Sequence, residues 1–173
     1  MNINKYPHEL SRGTNNVVIA LSKTEVGKIF TPDSRVEVTT EARNMQYANK
    51  INDLVAAYIR IDIEGDNQIL VMERLSILEP RSFEKEVREA VYSVFVDKIK
   101  ELHKQGFCHR DIKRPSGFGG RPYDNVILTE EGLRLIDTGI SAIRDSSNEN
   151  IFARYVEAEM KEAAEFFEYF MEQ

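Results

Sequence analysis

Apolar side chains change their spacing once along this 173-residue chain, between residues 74 and 81, and that change limits what the chain can fold into. Before it, apolar residues come in short runs. "VVIAL" (17–21) and "VGKIF" (26–30) flank "SKTE", which suits a β-hairpin. "LVAAYIRIDIE" (54–64) and "QILVMERL" (68–75) flank "GDN", a turn signal. Between these pairs, Thr31-Pro32-Asp33-Ser34 breaks the strand and offers helix caps. "RVEVTTEARNMQYANKIN" (35–52) then predicts a helix, with Met45, Ala48 and Ile51 at helical spacing.

After the change the period is helical. Val87, Val91, Val94, Phe95, Ile99 and Leu102 recur at three- and four-residue steps, predicting a helix from about Ser82 to Gln105 that Gly106 ends. "NVIL" (125–128) and "LRLI" (133–136), joined by "TEEG", predict a second kind of hairpin. From about Asn150 the pattern is helical again. Phe152, Val156, Met160, Ala163, Phe167 and Phe170 form its apolar stripe, and the glutamates read as the opposite, solvated face. The expectation is an α+β protein with a β-rich part over 1–75 and a helical part over 76–173.

Composition narrows the function classes. With 42% apolar and 30% charged residues the chain reads as a soluble globular protein. A net charge of -6 without a basic stripe argues against nucleic-acid binding. The single cysteine, Cys108, cannot form an internal disulfide and reads as a small core residue, which suits a reducing compartment. No apolar run is long enough to span a bilayer, and "MNINKYPHELSRG" lacks the apolar run of a signal peptide. A cytoplasmic protein is expected, with export by a route that needs no cleaved signal left open.

The chemistry gathers in 108–141, "CHRDIKRPSGFGGRPYDNVILTEEGLRLIDTGIS". Asp111 follows the predicted helix, Asn125 opens one strand of the hairpin and Asp137 follows the other. Asn125 and Asp137 supply oxygen ligands suited to a hard cation such as Mg²⁺. Asp111 can accept a proton or orient a hydroxyl, and Lys113 can balance charge on a transferred phosphoryl group. Phosphoryl transfer needs mainly positioning and charge neutralisation, which these residue types supply.

These motifs resemble the eukaryotic-type protein kinases. His109-Arg110-Asp111 with Lys113 matches the H-R-D-x-K catalytic loop, and "DNVILTEEGLRLIDTG" resembles the stretch from the magnesium-binding Asn to D-F-G. The resemblance implies that Asp111 is the catalytic base, Asn125 and Asp137 hold magnesium, and His109 is structural. Thr138 stands where the family has Phe.

In the first half, "LSRGTNNVV" lies where the Gly-rich loop belongs, with Gly13 its one glycine and Val18 following; Ser11 and Asn16 take the outer glycine positions. Lys28 matches the lysine that contacts the α- and β-phosphates of ATP. Glu41 is its expected ion-pair partner, with Glu37 as the alternative. Met72 takes the gatekeeper position, and the backbone of Glu73 and Leu75 would contact adenine.

The implied architecture is a protein-kinase-like two-lobe fold. A five-stranded antiparallel N-lobe sheet with one helix precedes a minimal helical C-lobe. The match covers roughly residues 8–141, and the late kinase helices have no counterpart. Such truncation is similar to short bacterial effector kinases delivered into host cells, some of which bind ubiquitin-charged conjugating enzymes.

Three functions follow from the resemblance. One is ATP- and Mg²⁺-dependent transfer to Ser, Thr or Tyr of proteins, with Ser/Thr favoured and the chain itself a possible target. The second is a kinase-fold binding module acting through a protein partner. The third is a small-molecule kinase. Ser141, Ser146 and Ser147 are the nearby residues that could answer Arg110 as phosphate carriers, and with so little loop here switching by phosphorylation is not expected. Between Asp111 and Asn125 lie nine residues more than the family's spacing of about five would give. Closing the longer loop costs about 0.9 kcal/mol, too little to abolish a site. The extra segment is either a surface bulge or a substrate-facing element with Arg121 at its tip.

Overall fold

The structure, a computed structural model, describes residues 6–12, 16–30, 37–114, 121–144 and 149–173. Gly13, Thr31–Ser34, residues 115–120 of the segment between Asp111 and Asn125, Ser146 and Ser147 lie outside them.

The first apolar runs pair as their period-2 patterns require. Strands β1 (His8–Arg12), β2 (Asn16–Ala20), β3 (Glu25–Phe30), β4 (Tyr58–Glu64) and β5 (Asn67–Glu73) form one antiparallel sheet in the order β1-β2-β3-β5-β4. Helix α1 (Val38–Asn49) packs on β4 and β5. Its buried residues Val38, Glu41, Ala42, Asn44, Met45 and Ala48 recur at three- and four-residue steps, so two polar side chains share the apolar face.

β4 starts at Tyr58, later than the apolar run from Leu54 suggests. Leu54–Ala56 pair elsewhere. The Ala56 amide donates to the Leu135 carbonyl at 2.9 Å, and the Leu135 amide donates to the Leu54 carbonyl at 2.7 Å. This stretch therefore stitches the sheet to the second half of the chain.

A 3₁₀ turn (Pro80–Ser82) leads into α2 (Lys85–Lys104), which begins a few residues after the expected start. Phe95, Ile99 and Leu102 are buried as expected, whereas Val87 and Val94 stay exposed. Gly106, at φ 88°, turns the chain out of the helix; a side chain there would sit in the left-handed region that favours glycine. Two-residue strands β6 (Phe107–Cys108) and β9 (Ala142–Ile143) pair across the loop, and β7 (Val126–Thr129) pairs with β8 (Gly132–Leu135). Helix α3 (Glu149–Glu172) closes against α2, where Tyr92 Oη donates to the Ala163 carbonyl and Arg88 Nη1 to the Phe170 carbonyl.

One hydrophobic cluster runs from Val26, Met45 and Leu70 through Phe95 and Leu135 to Phe166 and Phe170. Each such fully buried side chain contributes about 1.5–3 kcal/mol, so the cluster holds the sheet and the helices as one body. Among the described residues the architecture is α+β, with a five-stranded antiparallel sheet and three α-helices. No helix among them is long and apolar enough to cross a membrane.

Candidate functional site

Lys28 sits on β3 between Val18 of β2 and Leu70 of β5. Strand alternation puts it on the same face as Val26 and Phe30, which aims its ammonium into the core. It is only 6% exposed. Its Nζ donates to both carboxylate oxygens of Glu41 at 2.9 Å and to Asp137 Oδ1 at 3.0 Å. Glu37, by contrast, lies just before α1 as its capping residue, and Glu41 is the partner that the fold brings to Lys28.

One cation between two carboxylates leaves a net negative charge in a buried place. Burial works against the charge of Lys28, but the carboxylates of Glu41 and Asp137 hold its ammonium above the ordinary lysine range. Burial pushes Glu41 up, and the charge of Asp137 adds to this against the pull of Lys28. Asp137 is also penalised by burial, yet the charge and hydrogen bond of Lys28 keep it below the ordinary carboxylate range. Asp137 is therefore the carboxylate of the pair that stays ionised most readily. Its side chain remains 43% exposed, open to a ligand on the side away from Lys28.

The β7–β8 hairpin brings Asn125 beside it. The Ile136 amide donates to the Asn125 carbonyl at 3.1 Å, placing Asn125 and Asp137 at one end of the hairpin. Asn125 Nδ2 donates to both the carbonyl and Oδ2 of Asp111, each at 2.9 Å. That orients the amide so that its oxygen points away from the two Asp111 oxygens. The added segment therefore does not separate Asp111 from Asn125. Its base is pinched: the Arg114 amide donates to the Pro122 carbonyl at 2.7 Å, and the Arg114 guanidinium pairs with Asp124. Burial raises the carboxyl of Asp111, and the nearby charge of Asp137 adds to this while His109 opposes it.

The loop carrying Asp111 is fixed from two sides. His109, fully buried, places Nε2 2.9 Å from the Ile136 carbonyl, and Ser141 Oγ donates to the His109 carbonyl at 3.1 Å. Arg110 donates from Nη1 to the Ile140 carbonyl at 2.9 Å and lies 3.9 Å over the Tyr155 ring. Arg110 and Asp137 both have left-handed backbones, at φ 70° and 63°. Held non-glycine residues of this kind cost about 1–3 kcal/mol each and persist only where their surroundings impose them.

The second anchor is Glu159, which the sequence reading assigned to the solvated face of the last helix. That assignment is wrong. Glu159 is 2% exposed and accepts from three donors: the Arg110 amide, the Cys108 thiol at 3.1 Å and His103 Nε2 at 2.9 Å. Burial opposes its charge, but the His103 hydrogen bond, the charge of His109 and the Arg110 amide hold its carboxyl below the ordinary glutamate range. His103, given no site role from sequence, is thus part of the same cluster. The spacing carried the signal: Phe152, Glu159, Ala163, Phe166 and Phe170 form the buried face of α3. Ligand atoms of His103, Cys108 and Glu159 lie within 4.8 Å of one another. The Arg110 N–H aimed into this group suits an anion, and the three donors satisfy the carboxylate without a metal.

The remaining expected residues fall as follows. Lys113 is exposed and pairs with Glu165 of α3 at 2.5 Å. Met72 is buried beside Val26. The Glu73 carboxylate holds the buried Arg134 at 2.7 Å and the Ala57 amide at 3.0 Å, and its own amide donates to the Ala57 carbonyl. Leu75 and Val18 are half-buried against the core. Arg121 is exposed and directly precedes Pro122, whose carbonyl meets Arg114, so it sits at the pinched base of the added segment and not at a tip.

Lys28, Glu41 and Asp137 form one bonded group and Asn125 and Asp111 another, and the Ile136 amide on the Asn125 carbonyl brings the two together at one end of the hairpin. Oxygen donors on Asn125 and Asp137, beside an excess of negative charge, fit a small divalent cation such as Mg²⁺. In comparisons with known proteins, no family model and no curated protein matches this chain.

Proposed function

We propose that this chain is an ATP- and Mg²⁺-dependent phosphotransferase of the protein-kinase kind, acting on hydroxyl groups of Ser, Thr or Tyr in proteins. The observation that carries the reading is Lys28 Nζ held between the carboxylates of Glu41 and Asp137. A strand lysine buried in this way cannot swing away, and a polyanionic ligand entering beside Asp137 would take the donor now given to Asp137 while Glu41 keeps the other two. The proposal extends to a two-lobe kinase-like fold. Its support is the element order: a five-stranded sheet with a helix after the third strand, then a long helix, a loop with Asp111 and a hairpin ending at Asp137.

Lys28 would hold the α- and β-phosphates, with Glu41 keeping its side chain extended. Asn125 and Asp137 would hold the metal, which supplies charge neutralisation at the phosphates when bound. Asp111 would orient the acceptor hydroxyl and take its proton. The hydroxyl oxygen bonds to the γ-phosphorus as the bond to the β–γ bridging oxygen breaks, and ADP leaves. Asn125, by donating to Asp111, ties the base to the metal ligand.

The test is thermal melting with and without millimolar MgATP, followed by incubation with labelled ATP, with Asp137→Ala as control. The reading expects a higher melting temperature and label transfer that the folded Asp137→Ala protein lacks. No shift and no transfer would overturn it, and would favour a binding module acting through a protein partner.

A further inference from the structure

Two fully buried polar residues lie between α1 and the segment after Asp137, where an apolar contact would serve packing equally well. Asn44 is 1% exposed and Thr138 is 0% exposed. Their bonds run in both directions between the two elements. Asn44 Nδ2 donates to the Thr138 carbonyl at 2.8 Å, and Thr138 Oγ1 donates to the Glu41 carbonyl at 3.2 Å.

The second bond closes a ring. Lys28 Nζ reaches the Glu41 carboxylate, the Glu41 carbonyl takes the Thr138 hydroxyl, Thr138 is joined covalently to Asp137, and Asp137 Oδ1 returns to Lys28. Asn44 lies on the same buried face of α1 as Glu41 and braces that ring one turn along. A shift of α1 away from the Asp137 segment breaks both polar bonds and pulls Glu41 from Lys28.

Packing stability does not explain the pair. Asn44 Oδ1 is buried with no hydrogen-bond partner among the described residues. A buried acceptor left unpaired costs about 1–3 kcal/mol, which leucine at this position would avoid. Directional bonds fix one relative placement of two elements, whereas an apolar contact tolerates sliding.

We propose that Asn44 and Thr138 are positioning residues that latch α1 to the Asp137 segment, so that Glu41 and Asp137 meet Lys28 together in the unmodified protein. The latch rests on the phosphotransfer reading for its effect on turnover, but its structural claim stands apart from it. The latch is built from hydrogen bonds within the chain alone.

Two measurements decide it. Thr138→Val removes the hydroxyl at nearly constant size, and Thr138→Ser keeps it. With ATP turnover as the readout, Thr138→Val and Asn44→Leu lose kcat by about tenfold or more while Thr138→Ser stays near wild type. Folded Thr138→Val and Asn44→Leu proteins with wild-type kcat would overturn the positioning role. Amide hydrogen exchange of the unmodified, nucleotide-free wild type reads the latch without any variant or turnover. Protection of α1 comparable to β5 is expected, and α1 amides exchanging far faster than those of β5 would overturn the latch. Wild type with a protected α1 but no ATP turnover would sink the phosphotransfer reading and leave the latch as a structural fact.

Discussion

The carboxylate of Glu159, on α3, accepts a hydrogen bond from the backbone amide of Arg110, one residue before Asp111. A helix remote in sequence thus sets the position of the proposed base. Its other two donors, His103 at the end of α2 and Cys108 in β6, make Glu159 the point where both helices and the loop meet.

Glu159→Gln removes the charge and keeps the shape. Breaking a buried charged network by altering one partner costs about 3–5 kcal/mol, and the amide that replaces the carboxylate retains part of the hydrogen bonding, so a loss near the lower end, about 3 kcal/mol, is expected. The folded carboxyl lies below its unfolded value of about 4.3, so its contribution is complete above that pH and is lost as pH falls through the folded value. The Glu159 share of the gap between wild type and variant in denaturant midpoints should therefore disappear in acid, below the ordinary glutamate range. A gap that keeps its full size after pH has fallen well below that range would contradict this assignment.

The ion pair of Lys28 and Glu41 separates stability from function. Lys28→Met alone leaves Glu41 buried without its cation and is expected to lower stability by about 3 kcal/mol. Replacing both, as Lys28→Met with Glu41→Leu, should restore most of that loss, because apolar residues of similar size are tolerated in place of a buried pair. Neither protein should transfer phosphate. Urea unfolding and labelled-ATP incubation on the three proteins check this, and transfer by the double variant would remove Lys28 from the mechanism.

The added segment can be shortened. Its ends meet through Arg114, Pro122 and Asp124, and Asn125 contacts Asp111 directly. Joining Arg114 to Arg121 through two glycines should change stability by less than about 1 kcal/mol, since loop closure depends weakly on length. It should also leave the Mg²⁺ dependence of ATP turnover unchanged. A rise in the Mg²⁺ concentration needed for half-maximal turnover would show that the segment holds Asn125 in place.

Much of this was legible locally. The two hairpins follow from period-2 runs and turn residues, and α2 and α3 from their three- and four-residue spacing. The pairing of Lys28 with Glu41 was reached through motif order, and Glu41 over Glu37 follows from which residue faces the sheet. What stayed hidden is non-local. Helical periodicity traced through apolar residues alone passes over Glu159, since a buried glutamate at the same phase looks like surface until its donors are known. Phe166 is hidden for a related reason, since the apolar spacing runs equally well through its neighbour Phe167. Leu54–Ala56 look like strand by composition, and their pairing with Leu135 has no local signature. The contact of Lys113 with Glu165 likewise depends on where α3 docks.

Cys108 gives a direct probe of the Glu159 cluster. The thiol is fully buried, and burial first, then the charge of Glu159 and its hydrogen bond, push its pKa far above the ordinary cysteine range. Thiolate is the reactive form, so the native protein should resist thiol reagents at neutral pH, and labelling should wait for opening of the β6 region. Two variants separate opening from acidity. Glu159→Gln removes the charge that disfavours thiolate and also loosens the loop, so labelling accelerates. Tyr92→Phe loosens α2 from α3 by one hydrogen bond without touching the thiol, so labelling accelerates only as far as stability falls. With rates compared at equal measured stability, Glu159→Gln should remain the faster of the two. Equal rates would mean that Glu159 acts on Cys108 only through packing, and rapid labelling of the wild type would show that β6 is not closed by α3 in solution.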